Sequence, residues 1–164
     1  MTVTLAQPLP TLIARGDLRH ITQPQPATDI VLDRRTPIRA AAKPPTDRTV
    51  AGWHVTSSAP RTASMSRAGE HVSLPLGVIV AEAEIVASFP IRELAGCVDP
   101  PYVRWLAVRS DGRLFWQECD GHGLTTSPAP ADLALLDDVA PGRHLWILAS
   151  CQPTPTEANP CCND

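Results

Sequence analysis

Aromatic side chains are scarce in this chain. Two Phe, one Tyr and four Trp among 164 residues leave few large rings to fill a core. With 18 prolines and long Ser/Thr/Pro stretches, that scarcity points to much loop and an ordered core of roughly 110–120 residues. Long apolar runs are missing too. None approaches the ~20 residues of a membrane-spanning helix, so no membrane association is expected. The opening Met1-Thr-Val-Thr-Leu-Ala6 lacks a basic stretch followed by an apolar block. No secretory signal is read there, and a cytoplasmic location is expected. Paired metal-ligand spacings are absent as well: there is no Cys-x-x-Cys and no His-x-x-x-His. The five cysteines, Cys97, Cys119, Cys151, Cys161 and Cys162, are odd in number and lack framework spacing. They are expected to be free thiols. Cys151 with the vicinal Cys161-Cys162 and a histidine is the only metal-ligating combination, and structural zinc favours tighter spacing. No metal and no cofactor is expected, and no internal repeat is seen.

What is present begins with charge. The net charge of −3 is unevenly shared: residues 1–72 hold nine Lys/Arg against five Asp/Glu, and residues 73–164 hold five against twelve. A basic half can offer an anion-binding face, while the acidic whole argues against strong non-specific binding to duplex DNA.

The chain is organised around its longest β-like run, Leu74-Pro-Leu-Gly-Val-Ile-Val-Ala-Glu-Ala-Glu-Ile-Val-Ala-Ser-Phe89. Ile79, Ala81, Ala83, Ile85 and Ala87 share one apolar face at period 2. Val78, Val80, Glu82, Glu84 and Val86 share the other, whose two carboxylates must be solvated, paired or functional. In chain order, residues 2–6 predict a short strand. Gln7 to Gly16 predicts a short helix with prolines in its first turn, a Leu9/Leu12/Ile13 stripe and a glycine stop. Residues 17–23 read as an extended or turning segment, Ile30-Val-Leu32 as a minor strand and residues 37–42 as a strand. Residues 43–72 read as a long Pro/Ser/Thr-rich loop anchored by Trp53. Pro90 to Leu94 reads as a helical turn. Tyr102 to Glu118 reads as a hairpin turning at Asp111-Gly112. A flexible turn over Asp120-Gly-His-Gly123, a short helix near residues 131–136 and a last strand over residues 143–149 follow. The fold class is α+β: a small mixed β-barrel with two or three short helices, in one domain over residues 1–150, then a flexible tail over 151–164.

Three blocks, in order, resemble the ASCH domain of the PUA-like superfamily. Gln7-Pro8 followed by Leu12-Ile13-Ala14 and Gly16 is similar to that family's opening strand, "QP" helix start and helix-ending glycine. Leu74 to Val86 is similar to its "lPlGaivGvaelv" strand. Asp138-Val-Ala-Pro-Gly-Arg-His-Leu-Trp-Ile-Leu148 is similar to its "pGryaWvL" strand, and Ile38-Arg-Ala40 sits where the family often has Ile-His-Ala. The resemblance implies a PUA-like barrel with a basic groove beside the first helix, in a superfamily associated with RNA and including hydrolases of acetylated cytidine. Arg19 stands for the family lysine, Pro24 falls at its arginine and Leu9 replaces its tryptophan. An arginine stays protonated and makes a poor base or nucleophile, so the resemblance points away from an enzyme.

The expected ligand-binding residues are Arg19, Thr22 and Arg39, the two guanidinium groups suiting a phosphate or carboxylate bidentately. The expected ligand is RNA or a nucleotide-like anion. The alternatives are a divergent amidohydrolase acting on an acetylated nucleoside through Thr22, Glu84 and Arg19, and a protein–protein adaptor or inhibitor presenting the 43–72 loop and the acidic C-terminal half to a protein partner. His20 and His144 read as surface or hydrogen-bonded histidines, and Trp105, Trp116 and Trp146 as core anchors or a base-stacking platform. The Ala/Pro/Arg-rich composition fits a high-GC genome, including that of a phage of such a host.

Overall fold

The computed structural model describes residues 1–29, 31–59, 62–94 and 103–155. Ile30, Cys97, Tyr102, Cys161 and Cys162, which figure in the expectations above, lie outside the described residues. In chain order the elements are β1 (Val3–Leu5), α1 (Leu9–Arg15), β2 (His20–Gln23), β3 (Arg35–Ala40), β4 (Arg48–Val50) and β5 (Trp53–Ala59). They continue with β6 (Thr62–Arg67), β7 (Glu70–Leu74), β8 (Ile79–Glu93), β9 (Val103–Val108), β10 (Leu114–Cys119), β11 (Leu124–Pro128), a 3₁₀ turn (Ala131–Leu135) and β12 (His144–Pro153). No helix among the described residues is long and apolar enough to cross a membrane.

The chain forms two compact units that interleave in sequence. The first holds Met1–Asp17, Thr36–Ala83 and the chain from Ser150; the second holds Leu18–Arg35 and Glu84–Ala149. Strand β8 contributes to both.

In the first unit β1 runs parallel to β3, with Val3 opposite Ile38 and Leu5 opposite Ala40. Helix α1 begins where Pro8 and Pro10 are tolerated, since first-turn amides have no intrahelical acceptor. It ends at Gly16, whose φ of 79° lets its amide reach the Ile13 carbonyl while that of Asp17 reaches Leu12. Leu12 and Ile13 are fully buried. The fully buried Gln7 donates to the Pro75 carbonyl at 2.6 Å and accepts from the Thr11 hydroxyl at 3.0 Å. Buried polar groups need such partners, so this side chain fixes the helix start against the chain entering β8.

Strands β4 to β7 form an antiparallel meander in that unit. Trp53, Val55, Ala63, Met65 and Leu74 are buried, while His54, Thr56 and His71 on intervening positions are exposed. This corrects the loop expected over residues 43–72. Serine and threonine hide the alternation from a composition reading, but the period-2 burial pattern is a half-buried sheet.

In the second unit the distal part of β8 runs parallel to β9, Ile91 opposite Leu106. Strand β9 pairs antiparallel with β10, and β10 with β11. Strand β12 pairs antiparallel with β2, Leu145 opposite Thr22 and Trp146 opposite Ile21. The hairpin turn falls at Gly112, as the sequence predicts, with a φ of 82° that only glycine adopts without strain. Ile85, Ile91, Leu106, Leu133 and Leu145 are buried here.

Several expectations are corrected. Residues 90–93 continue β8 instead of forming a helical turn: Ile91 is buried and its amide donates to the Arg143 carbonyl, so strand pairing offers what a single helical turn cannot. The long strand starts at Ile79, and Leu74 ends β7. Strand β12 runs to Pro153, past the expected start of the tail, and the Thr154 amide donates to the Val80 carbonyl. Cys119 is disulfide-bonded, against the expected free thiol, whereas Cys151 lies outside any disulfide. Among the described residues the chain is mostly strand with one α-helix, and the strand orders are open, without a closed barrel.

Candidate functional site

A cavity of about 380 Å³ opens beside α1 in the first unit. Thr11, Ala14 and Arg15 line it from the helix, Pro75 and Val80 from the approach to β8, and Pro153 and Thr154 from the end of β12. The burial of Leu12 and Ile13 explains this placement: with those two side chains committed to the core, the flanking Thr11, Ala14 and Arg15 are left to face the cavity. Its walls are mostly apolar, and the polar groups are hydroxyls plus one guanidinium. The Thr154 hydroxyl is buried without a hydrogen-bond partner among the described residues. An unmet buried hydroxyl costs about 1–3 kcal/mol, which a bound ligand's polar group would recover.

The charge at the rim is already balanced. Arg15 donates through Nε to Asp17 at 2.9 Å and through Nη2 to Glu70, and Glu70 also takes Arg67 at 3.1 Å. Hydrogen bonding to Asp17, then to Glu70, raises the Arg15 pKa against its partial burial. Both guanidinium groups lie over the buried Trp53 ring, Arg67 at 4.1 Å and Arg15 at 5.5 Å. Two arginines and two carboxylates leave no surplus positive charge for a phosphate.

The residues expected to bind ligand lie elsewhere. Arg19, Thr22 and Arg39 do not line this cavity. Arg39 is exposed on β3 opposite Thr4. Arg19 and Thr22 belong to the second unit, as does Glu84. Arg19 is exposed and its amide donates to Asp132 at 3.1 Å. His20 Nδ1 meets the same carboxylate at 2.7 Å. Burial works to raise the Asp132 pKa, but the hydrogen bonds from His20 and from the Arg19 amide outweigh it and hold the carboxyl below its ordinary value. Thr22 is buried and donates to Asp138, which Arg143 Nη2 meets at 2.8 Å while also contacting the Thr22 carbonyl at 3.3 Å. Glu84 is half-buried on β8, and no interaction brings it to Thr22. The structure therefore brings Thr22 together with Asp138 and Arg143, and places Arg39 in the other unit.

Trp105 and Trp116 are buried. Trp105 donates to Gln117 at 3.0 Å, and the guanidinium of Arg104 covers Trp116 at 4.5 Å. Trp146 is buried and donates to the Gln25 carbonyl. These rings act as anchors. No group of three or more metal-ligating side chains exists among the described residues.

Sequence reasoning missed Thr11, Arg15, Pro75, Val80, Pro153 and Thr154 as cavity residues. The helix stripe and the quoted Leu74-Pro75 block carried part of that signal. Thr154 had none, since it reads as tail. Compared with known proteins, the chain matches no family model, no curated protein and no solved structure.

Proposed function

We propose that this chain is a non-enzymatic PUA-like binding module that takes a nucleoside-like group, free or as an unpaired base of RNA, in the cavity beside α1. The observation that carries this reading is the combination of apolar walls (Ala14, Pro75, Val80, Pro153) with the unmet Thr154 hydroxyl. A nucleobase has two flat apolar faces and a polar edge, and such a cavity supplies a partner for each. The volume lies within the range of small-molecule pockets. The charge-balanced rim favours an uncharged nucleoside over a free phosphate, because Arg15 is already engaged by Asp17 and Glu70. The ASCH resemblance in the Gln7, Leu74 and Asp138 blocks supports a groove beside this helix as the ligand site.

Calorimetric titration with cytidine and adenosine, beside their monophosphates, tests the reading. Nucleosides are expected to bind, and the monophosphates no more tightly in that part of the binding which Ala14→Phe removes. Ala14→Phe should fill the cavity and abolish binding, and Thr154→Val should weaken it about fivefold by removing one hydrogen bond. Absence of nucleoside binding, or binding untouched by Ala14→Phe, would overturn it.

A further inference from the structure

A separate cleft of about 570 Å³ lies within the second unit, between the end of β8 (Pro90, Ile91, Arg92, Glu93) and the turn into β12 (Pro141, Gly142, Arg143, His144). The Ile91 amide donates to the Arg143 carbonyl at 2.8 Å and the Gly142 amide to the Ile91 carbonyl at 3.0 Å, so backbone pairing holds both walls. We infer that this cleft binds the phosphate group of a phosphorylated small molecule, seated on Arg92 with Arg143 and His144 beside it. The inference stands independently of the cavity beside α1.

The electrostatics of three arginines single out the seat. Arg109, lining a neighbouring cavity of about 400 Å³ that shares Glu93 and Pro141, is doubly bonded to Asp111, and its charge is taken. Arg143 gives one nitrogen to Asp138 and Thr22, while its Nε is buried with no hydrogen-bond partner among the described residues. Arg92 is exposed, lies over the Trp105 ring at 5.8 Å from its centroid and has no carboxylate partner among the described residues. A guanidinium held by a ring and lacking a counter-ion is ready for a phosphate oxygen. His144 Nδ1 is also buried, and among the described residues neither it nor Arg143 Nε has a hydrogen-bond partner. Glu93 also lines the cleft, and it makes no ion pair with Arg92 among the described residues.

NMR titration of the full chain with inorganic phosphate, matched in ionic strength with chloride, tests this. Saturable shifts of the Gly142 and His144 amides are expected, with a dissociation constant on the order of millimolar for so small a probe. Arg92→Gln should weaken phosphate about tenfold, by loss of one charge-assisted contact. Arg113→Gln, which removes the same charge from an exposed position paired with Asp111, should leave it unchanged. Absence of saturation overturns the inference, as does equal weakening by both variants. Shifts of these same two amides by a short RNA, with no response to phosphate, overturn it too and assign the cleft to a strand. Loss of nucleoside binding on Ala14→Phe with phosphate binding intact separates the two sites.

Discussion

Arg15 and Arg92 are the same residue type in opposite electrostatic situations. Arg15 lies over Trp53 and is bonded to Asp17 and Glu70, so its charge is spent inside the protein. Arg92 lies over Trp105 with no carboxylate partner among the described residues. The contrast teaches that an arginine beside a cavity says little about ligand charge until its counter-ions are known. The first cavity suits an uncharged ring and the second an anion, although each is flanked by a guanidinium on an indole.

The largest effect that would break the comparison is loss of the ring under Arg15 and Arg67. Trp53 is buried, and Trp53→Ala should destabilise the protein by about 3–5 kcal/mol, read as a fall in the urea midpoint. Next is the carboxylate that occupies Arg143. Asp138→Ala leaves the buried Thr22 hydroxyl without its acceptor and should cost about 1–3 kcal/mol by the same measurement, most of it from Thr22, because the Asp138–Arg143 pair is partly solvent-screened.

The third is a pH dependence set by Asp132. Its folded pKa is held below the unfolded value of about 3.9, so its contribution is complete above that value and is lost as pH falls through the folded one. Urea midpoints measured from pH 7 down to about 3 should decline at the acid end, and Asp132→Asn should flatten that decline. The smallest effect sharpens the comparison most. Glu70→Gln should change stability by no more than about 1 kcal/mol, yet frees part of the charge on Arg15 and Arg67. The ratio of monophosphate to nucleoside affinity should rise in this variant, and an unchanged ratio would show that the rim charge does not select the ligand.

Much of the strand pattern was legible, and the reasons differ by region. The β9–β10 hairpin has large apolar residues alternating around Asp111-Gly112, so period and turn agree. The β4–β7 meander has the same period, but its outward positions are Ser, Thr and His among prolines, and composition masks it. The 90–93 end of β8 reads as helical because Pro90 can begin a helix; only its pairing with β9 and the contact with Arg143 decide for strand. Arg19 and Thr22 were marked from a motif alignment, which carries no information on counter-ions. The structure turns Thr22 inward to Asp138 and leaves Arg19 exposed.

By itself, then, the sequence determined the local elements whose signals are short-range: α1 with its glycine stop, the Ala81/Ala83/Ile85 buried face and the glycine hairpin. The tertiary structure alone decided which side chains meet across long separations, as with Gln7 and Pro75, Arg15 and Glu70, or Thr22 and Asp138. Periodicity and turn preference act over a few residues, whereas the partner that satisfies a buried hydroxyl or cancels a guanidinium is chosen by packing of distant chain, and that choice sets what each cavity can hold.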